Sequence, residues 1–293
     1  MMRFYRHVLA CNQWTPDRFV PFLAVGRQIG WLRRDHAGQL ANFSEIFEHS
    51  DGVVRFRPEF ETPDQRSLAI DQVGRTLVEQ GFASPYRHEA FAVVPEWGAE
   101  TCFTLDRALV PYFGVKGFGV HLTGYVRTAQ GIEMWIGHRS ATKKVDPLKL
   151  DNVVAGGIAA GHGVWDTLLK EGAEEAAMTP EILAAAQSAG QIRYRLGVPE
   201  GMRDDILFLY DVELPADFMP RNTDGEFDSF ELMPIGQCLE LVAGSDQFKF
   251  NVNLTVIDFA LRHGMIAPDH PEYELLESGL RGGLIQEAEA RTD

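Results

Sequence analysis

Three shortages narrow the field before any motif is read. Cysteine is scarce: Cys11, Cys102 and Cys238 stand far apart in 293 residues and show no metal-ligand spacing. So sparse and odd a set excludes a disulfide scaffold and points to reduced thiols in a cytoplasm. No apolar run approaches the roughly 18 residues of a membrane span, and the opening Met-Met-Arg-Phe-Tyr-Arg-His-Val-Leu-Ala lacks a signal-peptide core. Positive charge is short as well, with 27 Lys and Arg against 42 Asp and Glu and a net charge of −15. A general nucleic-acid binder presents a basic face, so nucleic acid and membrane are both set aside as partners. A small phosphorylated substrate is compatible with the deficit, because a bound metal and a few local cations can reverse the sign of one pocket. Internal repeats and low-complexity tracts are also missing.

What is present is ordinary for a globular chain: 45% apolar and 24% charged residues, and enough length for one large or two ordinary domains. Phe4, Val8 and Leu9 predict a short N-terminal helix within residues 2–14. Two apolar runs around Gly26 predict a hairpin, followed by a polar helix over 35–48 and a strand over 53–56. Thr62-Pro63-Asp64 supplies an N-cap and a first-turn proline for a helix running to Gly81. A strand is expected over 89–94, and a short helix over 105–110. Trp14, Phe22 and Trp31 are read as core aromatics rather than as a stacking platform for a ligand. Beyond Gly117, alternation at Val120, Leu122, Gly124 and Val126, and at Met134 and Ile136, predicts a second hairpin. Helices are expected from Thr179 to about Ser188, over 235–242 and from Val252 to Gly264. Strands fall at 192–196, 206–214 and 226–233, and the last fifteen residues are expected to fray. The fold class is α+β, in a smaller unit over 1–115 and a larger mixed-sheet unit over 116–293.

The stretch that carries chemistry is Gly156 to Met178, a glycine-rich loop running into a helix with Glu171, Glu174 and Glu175. Residues three and four apart share a helical face, and Glu174 and Glu175 fall within about 60° of Glu171 at about 100° per residue. Trp165, Leu169, Gly172 and Ala176 take the opposing arc, which a core would cover. Three like charges on one face are unfavourable without a counter-charge. A divalent cation provides one, and carboxylate oxygens are the ligands Mg²⁺ prefers. Clustered glutamates alone usually form a solvated face; the glycine loop directly before the helix argues against that here.

This segment resembles the box of the Nudix hydrolases, G-x5-E-x7-R-E-U-x-E-E-x-G-U, with U a bulky aliphatic residue. Gly156 matches the first glycine, and Glu171, Glu174 and Glu175 match the catalytic triplet. His162 stands in place of the first Glu and Lys170 in place of Arg. Gly172 and Met178 take the aliphatic places, and Ala177 the place of the last Gly. Flanking text is similar to the subfamily with an extra N-terminal domain of unknown function (DUF4743), related to the Nudix part fused to thiamine pyrophosphokinase in some fungi. The matching text comprises Arg139-Ser140, Lys143-Lys144, Leu150-Asp151-Asn152, Val154 to Gly157, Tyr210-Asp211, Leu214-Pro215, Asp224-Gly225-Glu226 and Asp258-Phe259.

The resemblance implies a mixed sheet sandwiched by helices, preceded by a smaller α+β domain. It further implies Glu174, Glu175 and the Gly156 carbonyl as ligands of Mg²⁺, with Mn²⁺ as the alternative ion. Glu171 would handle the attacking water or bind a further ion, and Lys170 would pair with a box carboxylate. Glu226 is the candidate extra ligand, and Arg139 and Lys143 are the candidate phosphate-binding residues. His162 is a candidate proton donor, with the plainer reading of a loop residue beside it. The expected reaction is hydrolysis of a diphosphate on an organic group to a monophosphate, with thiamine diphosphate or its damaged forms leading. The competing function is a ligand-binding regulator, which would have no need of all three glutamates. An isomerase would need an added acid-base pair, and Cys102 and Cys238 lie outside any motif. The expected partners are a small diphosphate-containing substrate and a second copy of the chain as a homodimer.

Overall fold

The structure, a computed structural model, describes residues 2–289. The N-terminal part contains α1 (Tyr5–Cys11), a hairpin of β1 (Phe19–Ala24) and β2 (Arg27–Arg33), α2 (Arg34–Leu40), β3 (Phe47–Ser50), β4 (Val53–Phe56) and α3 (Pro63–Glu79). It closes with β5 (Ala90–Val93), β6 (Phe103–Asp106) and the single turn α4 (Val110–Phe113). The start of α3 is set locally. Gln65 N–H donates to Thr62 Oγ1 at 3.2 Å while Thr62 N–H donates to Gln65 Oε1 at 2.9 Å, a reciprocal cap. Ala69, Ile70, Val73 and Leu77 then bury one face of α3 against a four-stranded sheet of order β2-β1-β4-β3 and the β5–β6 pair. Phe22 is at the middle of that core and fully buried, as a core aromatic should be. Trp14 and Trp31 lie outside it, 5.4 Å apart, with the Arg195 guanidinium over both rings.

The larger part runs through β7 (Lys116–Thr128), β8 (Gly131–Arg139), β9 (Leu150–Asn152), β10 (Val154–Gly157), α5 (Val164–Ala176) and α6 (Pro180–Leu183). It continues with β11 (Gln187–Val198), β12 (Gly201–Glu213), β13 (Phe227–Pro234), α7 (Ile235–Gly244), α8 (Val252–Arg262), α9 (Tyr273–Leu280) and α10 (Gly283–Glu289). The sheet is mixed, with β12 parallel to β7 and the other pairs antiparallel. Strand β7 is long enough to serve two partners along one edge. Tyr125 to Thr128 pair with β8, while Gly119 to Leu122 pair with β10. Strands β7 and β8 therefore diverge, and the short β9–β10 segment fills the gap between them. Alternation assigns the two faces. Val120, Leu122 and Val126 pack beneath Leu168 and Ala176 of α5, while Tyr125, Leu207 and Leu209 pack with α7, α8 and α9. The mixed sheet between helical layers is thus as expected.

Several local expectations fail for tertiary reasons. The helix expected over 35–48 stops at Leu40, because Phe47–Ser50 is taken up as β3 beside β4. Leu105 belongs to strand β6 rather than to a helix, pairing with Phe91. The helix expected through Ser188 ends at Leu183, since Gln187 and Ser188 pair with Asp211 and Tyr210 of β12. Much of the supposedly frayed tail is helical, with α9 reaching Leu280 and α10 reaching Glu289; residues 290–293 of that stretch lie outside the described residues.

The first helix crosses over to the larger part. Phe4, Tyr5, Val8 and Cys11 join the core under α7, α8 and α9. The Glu272 carboxylate accepts the backbone N–H groups of Arg3, Phe4 and Tyr5 at 2.8, 3.0 and 2.7 Å, satisfying the free donors of the helix start. Burial of Glu272 works against its charged form, but those three bonds outweigh it and lower the carboxyl pKa. A depressed folded-state pKa gives stability that is present above the unfolded value and lost as pH falls through the folded one. Glu272→Ala should lower the thermal midpoint at neutral pH by roughly 2–6 °C. The deficit should shrink as the pH is lowered to about 3; a deficit constant with pH would show that the carboxylate charge is irrelevant there.

Candidate metal and active site

The geometry of α5 begins with its loop. Gly163 is the N-cap, its N–H donating to Asp166 at 3.1 Å, and Thr167 Oγ1 donates to the Gly163 carbonyl at 3.0 Å. At the other end Ala177 adopts a left-handed conformation, φ 51°. That conformation favours glycine, which accounts for glycine in the family box and makes alanine a strained substitute. Leu168 is fully buried, whereas Trp165, expected on the covered arc, is 39% exposed and leans on Tyr210.

The three glutamates reach different depths. The Glu171 side chain crosses directly over Gly156, where an added Cβ would lie 2.3 Å from Glu171 Cγ. Only glycine leaves that passage open. Glu175 is 1% exposed, and its Oε2 accepts the Ala155 N–H at 2.7 Å. Glu174 is the outermost, with its side chain 46% exposed and Lys170 Nζ at 2.8 Å; the same Nζ is 3.0 Å from Glu171. The pairing expected of Lys170 is thus present in the geometry, and it holds two box carboxylates at once. The backbone carbonyl of Glu174 accepts from both the N–H (3.0 Å) and the Oγ1 (2.7 Å) of Thr223. This clamp draws the 222–226 turn onto α5. One oxygen each of Glu175, Asp224 and Glu226 then lie within 4.8 Å of one another.

Burial raises the proton affinity of Glu175 and Glu171. Glu175 is pushed well above the usual carboxylate range, first by burial and then by the charge of Glu226, with the Ala155 N–H opposing. Glu171 is raised chiefly by burial, against the pull of Lys170. Around the cluster, Glu171, Glu174, Glu175, Asp224, Glu226 and Asp151 outnumber the cations Lys170, Arg139, Lys143 and Lys249. An excess of hard oxygen donors suits a divalent cation of the Mg²⁺ or Mn²⁺ kind.

Other residues singled out in the sequence take different places. Arg139 is 4% exposed and bonded on all three of its nitrogens. Its Nη1 bonds Asp151 at 2.6 Å and Glu226 at 3.2 Å, while Nε and Nη2 bond the carbonyls of Asp146 and Val145. Four of its five N–H donors are thus engaged inside the protein, so Arg139 positions Glu226 instead. Lys143 reaches Glu226 at 2.8 Å and is partly exposed, free to exchange partners. The Gly156 carbonyl does not face the carboxylates. Ala155 N–H points off the outer edge of β10 to Glu175, so alternation turns Gly156 inward to its partner Val120. The carbonyl sharing the carboxylate edge is that of Ala155. His162 is exposed in the loop, and among the described residues no hydrogen bond or ion pair joins its ring to a carboxylate.

Sequence reasoning missed Asp224, Ala155, Asp151 and Lys249. Lys249 Nζ lies 3.0 Å from Asp151 Oδ2, and burial of Asp151 is outweighed by Lys249 and Arg139, lowering its pKa. Nearby His121 bonds Asn152 at 2.9 Å, and burial drives its pKa down to about 4. Asp151, Ala155 and Asp224 stand in the matching text and Asp224 is two residues before Glu226 in a turn, whereas Lys249 carried no signal.

A family model described as a domain of unknown function (DUF4743) matches residues 3–117. Nudix hydrolase 24, chloroplastic, of Arabidopsis thaliana is 36% identical over 284 residues, covering 96% of this chain and 78% of that protein. Nudix hydrolase 20, chloroplastic, of the same plant is 35% identical over 289 residues, covering 95% and 77%. Among solved structures, Deinococcus radiodurans DR0079 covers 58% of this chain and 98% of its own at 18% identity, with a TM-score of 0.45. The NUDIX domain of Shewanella oneidensis NrtR, complexed with ADP ribose, covers 52% and 90% at 12% identity, with a TM-score of 0.42. Identity of this order along nearly the whole chain shows that it belongs to the Nudix hydrolase family and is a hydrolase of phosphoanhydride bonds.

Proposed function

We propose that the protein is a Mg²⁺-dependent pyrophosphohydrolase, with Mn²⁺ as the alternative ion, that cleaves a small organic diphosphate to its monophosphate. The observation that carries this reading is the convergence of Glu175, Asp224 and Glu226 beneath a box helix that also presents Glu171 and Glu174. Glu175, Asp224, Glu226 and the Ala155 carbonyl would hold the cation, with Glu174 at the outer edge. A bound divalent ion supplies neutralisation of phosphate charge and a water of lowered pKa. Glu171, its side chain 15% exposed over Gly156, would take a proton from a water beside it. Its raised pKa suits a base working near neutrality. Lys170 fixes the rotamers of Glu171 and Glu174, and Arg139 that of Glu226. Lys143 can leave Glu226 for a phosphate oxygen.

The substrate choice rests on the resemblance to the Nudix part fused to thiamine pyrophosphokinase, which singles out thiamine diphosphate and its damaged forms. Among the described residues no helix is long and apolar enough to cross a membrane. The three cysteines are free and buried, which suits a reducing compartment such as the cytoplasm; the two Arabidopsis relatives are named chloroplastic.

A phosphate-release screen over organic diphosphates should give turnover that depends on Mg²⁺ or Mn²⁺. Binding without turnover under either ion would favour a regulator. Glu174→Gln and Glu175→Gln should each cut turnover at least about tenfold, roughly 1.4 kcal/mol of barrier, with Glu175 the more severe. Unchanged rates in both would remove the metal-site assignment. Stability should move the opposite way. Because the folded pKa of Glu175 lies above its unfolded value, ionisation costs stability, and the cost grows as pH rises through the folded value. Glu175→Gln should therefore raise the metal-free midpoint at about pH 8 by at least about 2 °C, while abolishing the added stability that Mg²⁺ gives the wild type. A destabilised variant would contradict this electrostatic account. His162→Ala should keep the rate within about threefold, less than 1 kcal/mol; a tenfold loss would return His162 to the machinery.

A further inference from the structure

The glycine loop is not covered by the Nudix part alone. Its Ala160 N–H donates to the Ala90 carbonyl of β5 at 2.8 Å, so the N-terminal unit is hydrogen-bonded to the loop that leads into the box helix. Gly157, next to the glycine under Glu171, has the other side of β10 to itself. A Cβ there would lie 2.9 Å from the Phe91 ring and 3.5 Å from both Cζ and Nη2 of Arg107. Arg107 rests over Phe91 at 5.5 Å and pairs with Glu89 at 2.9 Å, with both side chains partly open to solvent. On the same side of the sheet, a Cβ on the neighbouring Gly119 would meet only the Gly156 carbonyl and Leu207, so the two paired glycines contribute no side chain of their own beneath Arg107.

Desolvation, and after it the guanidiniums of Arg107 and Arg203, lower the Arg87 pKa. Arg87 forms no ion pair among the described residues. Glu89 and Asp106 act on that pKa the other way, and the Arg87 N–H donates to Asp106 at 2.9 Å, which holds Arg87 beside the turn that carries Arg107. The Arg107–Glu89 pair is a holding contact of a kind that contributes little by itself, so a phosphate can displace it. Arginine binds phosphate through two parallel hydrogen bonds.

We propose that Arg107 of the N-terminal unit, assisted by Arg87, is a substrate-anchoring residue that exchanges Glu89 for the phosphoryl group remaining on the organic moiety. This rests on the pyrophosphohydrolase reading for its substrate, but not for its test. The N-terminal unit thereby selects substrates whose second phosphate reaches beyond Gly157, while the carboxylates act on the first.

The test pairs binding with kinetics in the full-length protein. Methylenediphosphonate, which cannot be hydrolysed, is titrated calorimetrically into wild type, Arg107→Ala, Arg107→Lys and Glu89→Gln with Mg²⁺ present. Arg107→Ala should weaken binding at least about tenfold, about 1.4 kcal/mol. Arg107→Lys should recover part of the loss, and Glu89→Gln should bind as well as or better than wild type because it frees the guanidinium. With a turned-over diphosphate, Arg107→Ala should raise KM at least about tenfold with kcat within about threefold, the pattern of a lost ground-state contact. Wild-type affinity in Arg107→Ala would overturn the proposal, as would Glu89→Gln and Arg107→Ala weakening binding alike, which marks a structural ion pair. If no diphosphate is turned over, the hydrolase reading fails and the titration still decides the role of Arg107.

Discussion

The site depends on one buried carboxylate. Glu175 is almost wholly out of solvent, yet its single backbone bond from Ala155 cannot compensate for a full charge at that depth. Such a group is tolerable if it is protonated or if a cation lies beside it, and its raised proton affinity is the metal-free expression of that choice. Much of the local architecture serves to keep Glu175 where it is. The sheet parts between β7 and β8 so that β10 can present an N–H on its open edge. Gly156 forgoes a side chain so that Glu171 can pass. Thr223 binds the carbonyl of Glu174 twice and thereby brings Asp224 and Glu226 to the same place.

Behind this front is a second layer whose function is positional. Arg139, Asp151 and Lys249 form a buried cation–anion–cation chain, with Arg139 also touching Glu226. Buried ion pairs are poor sources of stability because desolvation offsets their attraction. Their value here is geometric, since Arg139 is held at four acceptors and has no freedom to release Glu226. A phosphate-binding arginine needs spare donors and some exposure. Arg107, at the loop, has more of both than Arg139.

What could be read in the chain was what depends on near neighbours in sequence. The helical convergence of Glu171, Glu174 and Glu175, the glycine beneath them, the capped start of α3 and the β7–β8 hairpin are all written within a few turns or strands. The rest required distant segments to meet. Asp224 is about fifty residues from Glu175, Asp151 pairs with a lysine almost a hundred positions later, and Lys249 carries no local mark of that role. The Gly156 carbonyl was misjudged because pairing to Val120, rather than the motif, sets which way a backbone oxygen points. Ala184 to Ala186 read as helix, but the partnership of Gln187 with Asp211 on β12 overrides that propensity.

The N-terminal unit is tied into the hydrolase part at both ends of its own span. Its first helix is capped by Glu272 and shares a core with α8 and α9. Its last strands reach the glycine loop through Ala90 and Arg107. Contacts of this kind oppose a view of the first hundred residues as a tethered appendage, because release of either end would uncover apolar surface or leave backbone donors unpaired. A rigid connection matters more at the loop than at the helix. A guanidinium that anchors one phosphate must keep its distance from carboxylates that act on the other, and tolerance at a reacting centre is well under an ångström. Anchoring the unit through a buried core at one end and a strand hydrogen bond at the other is a physical means of holding that distance constant.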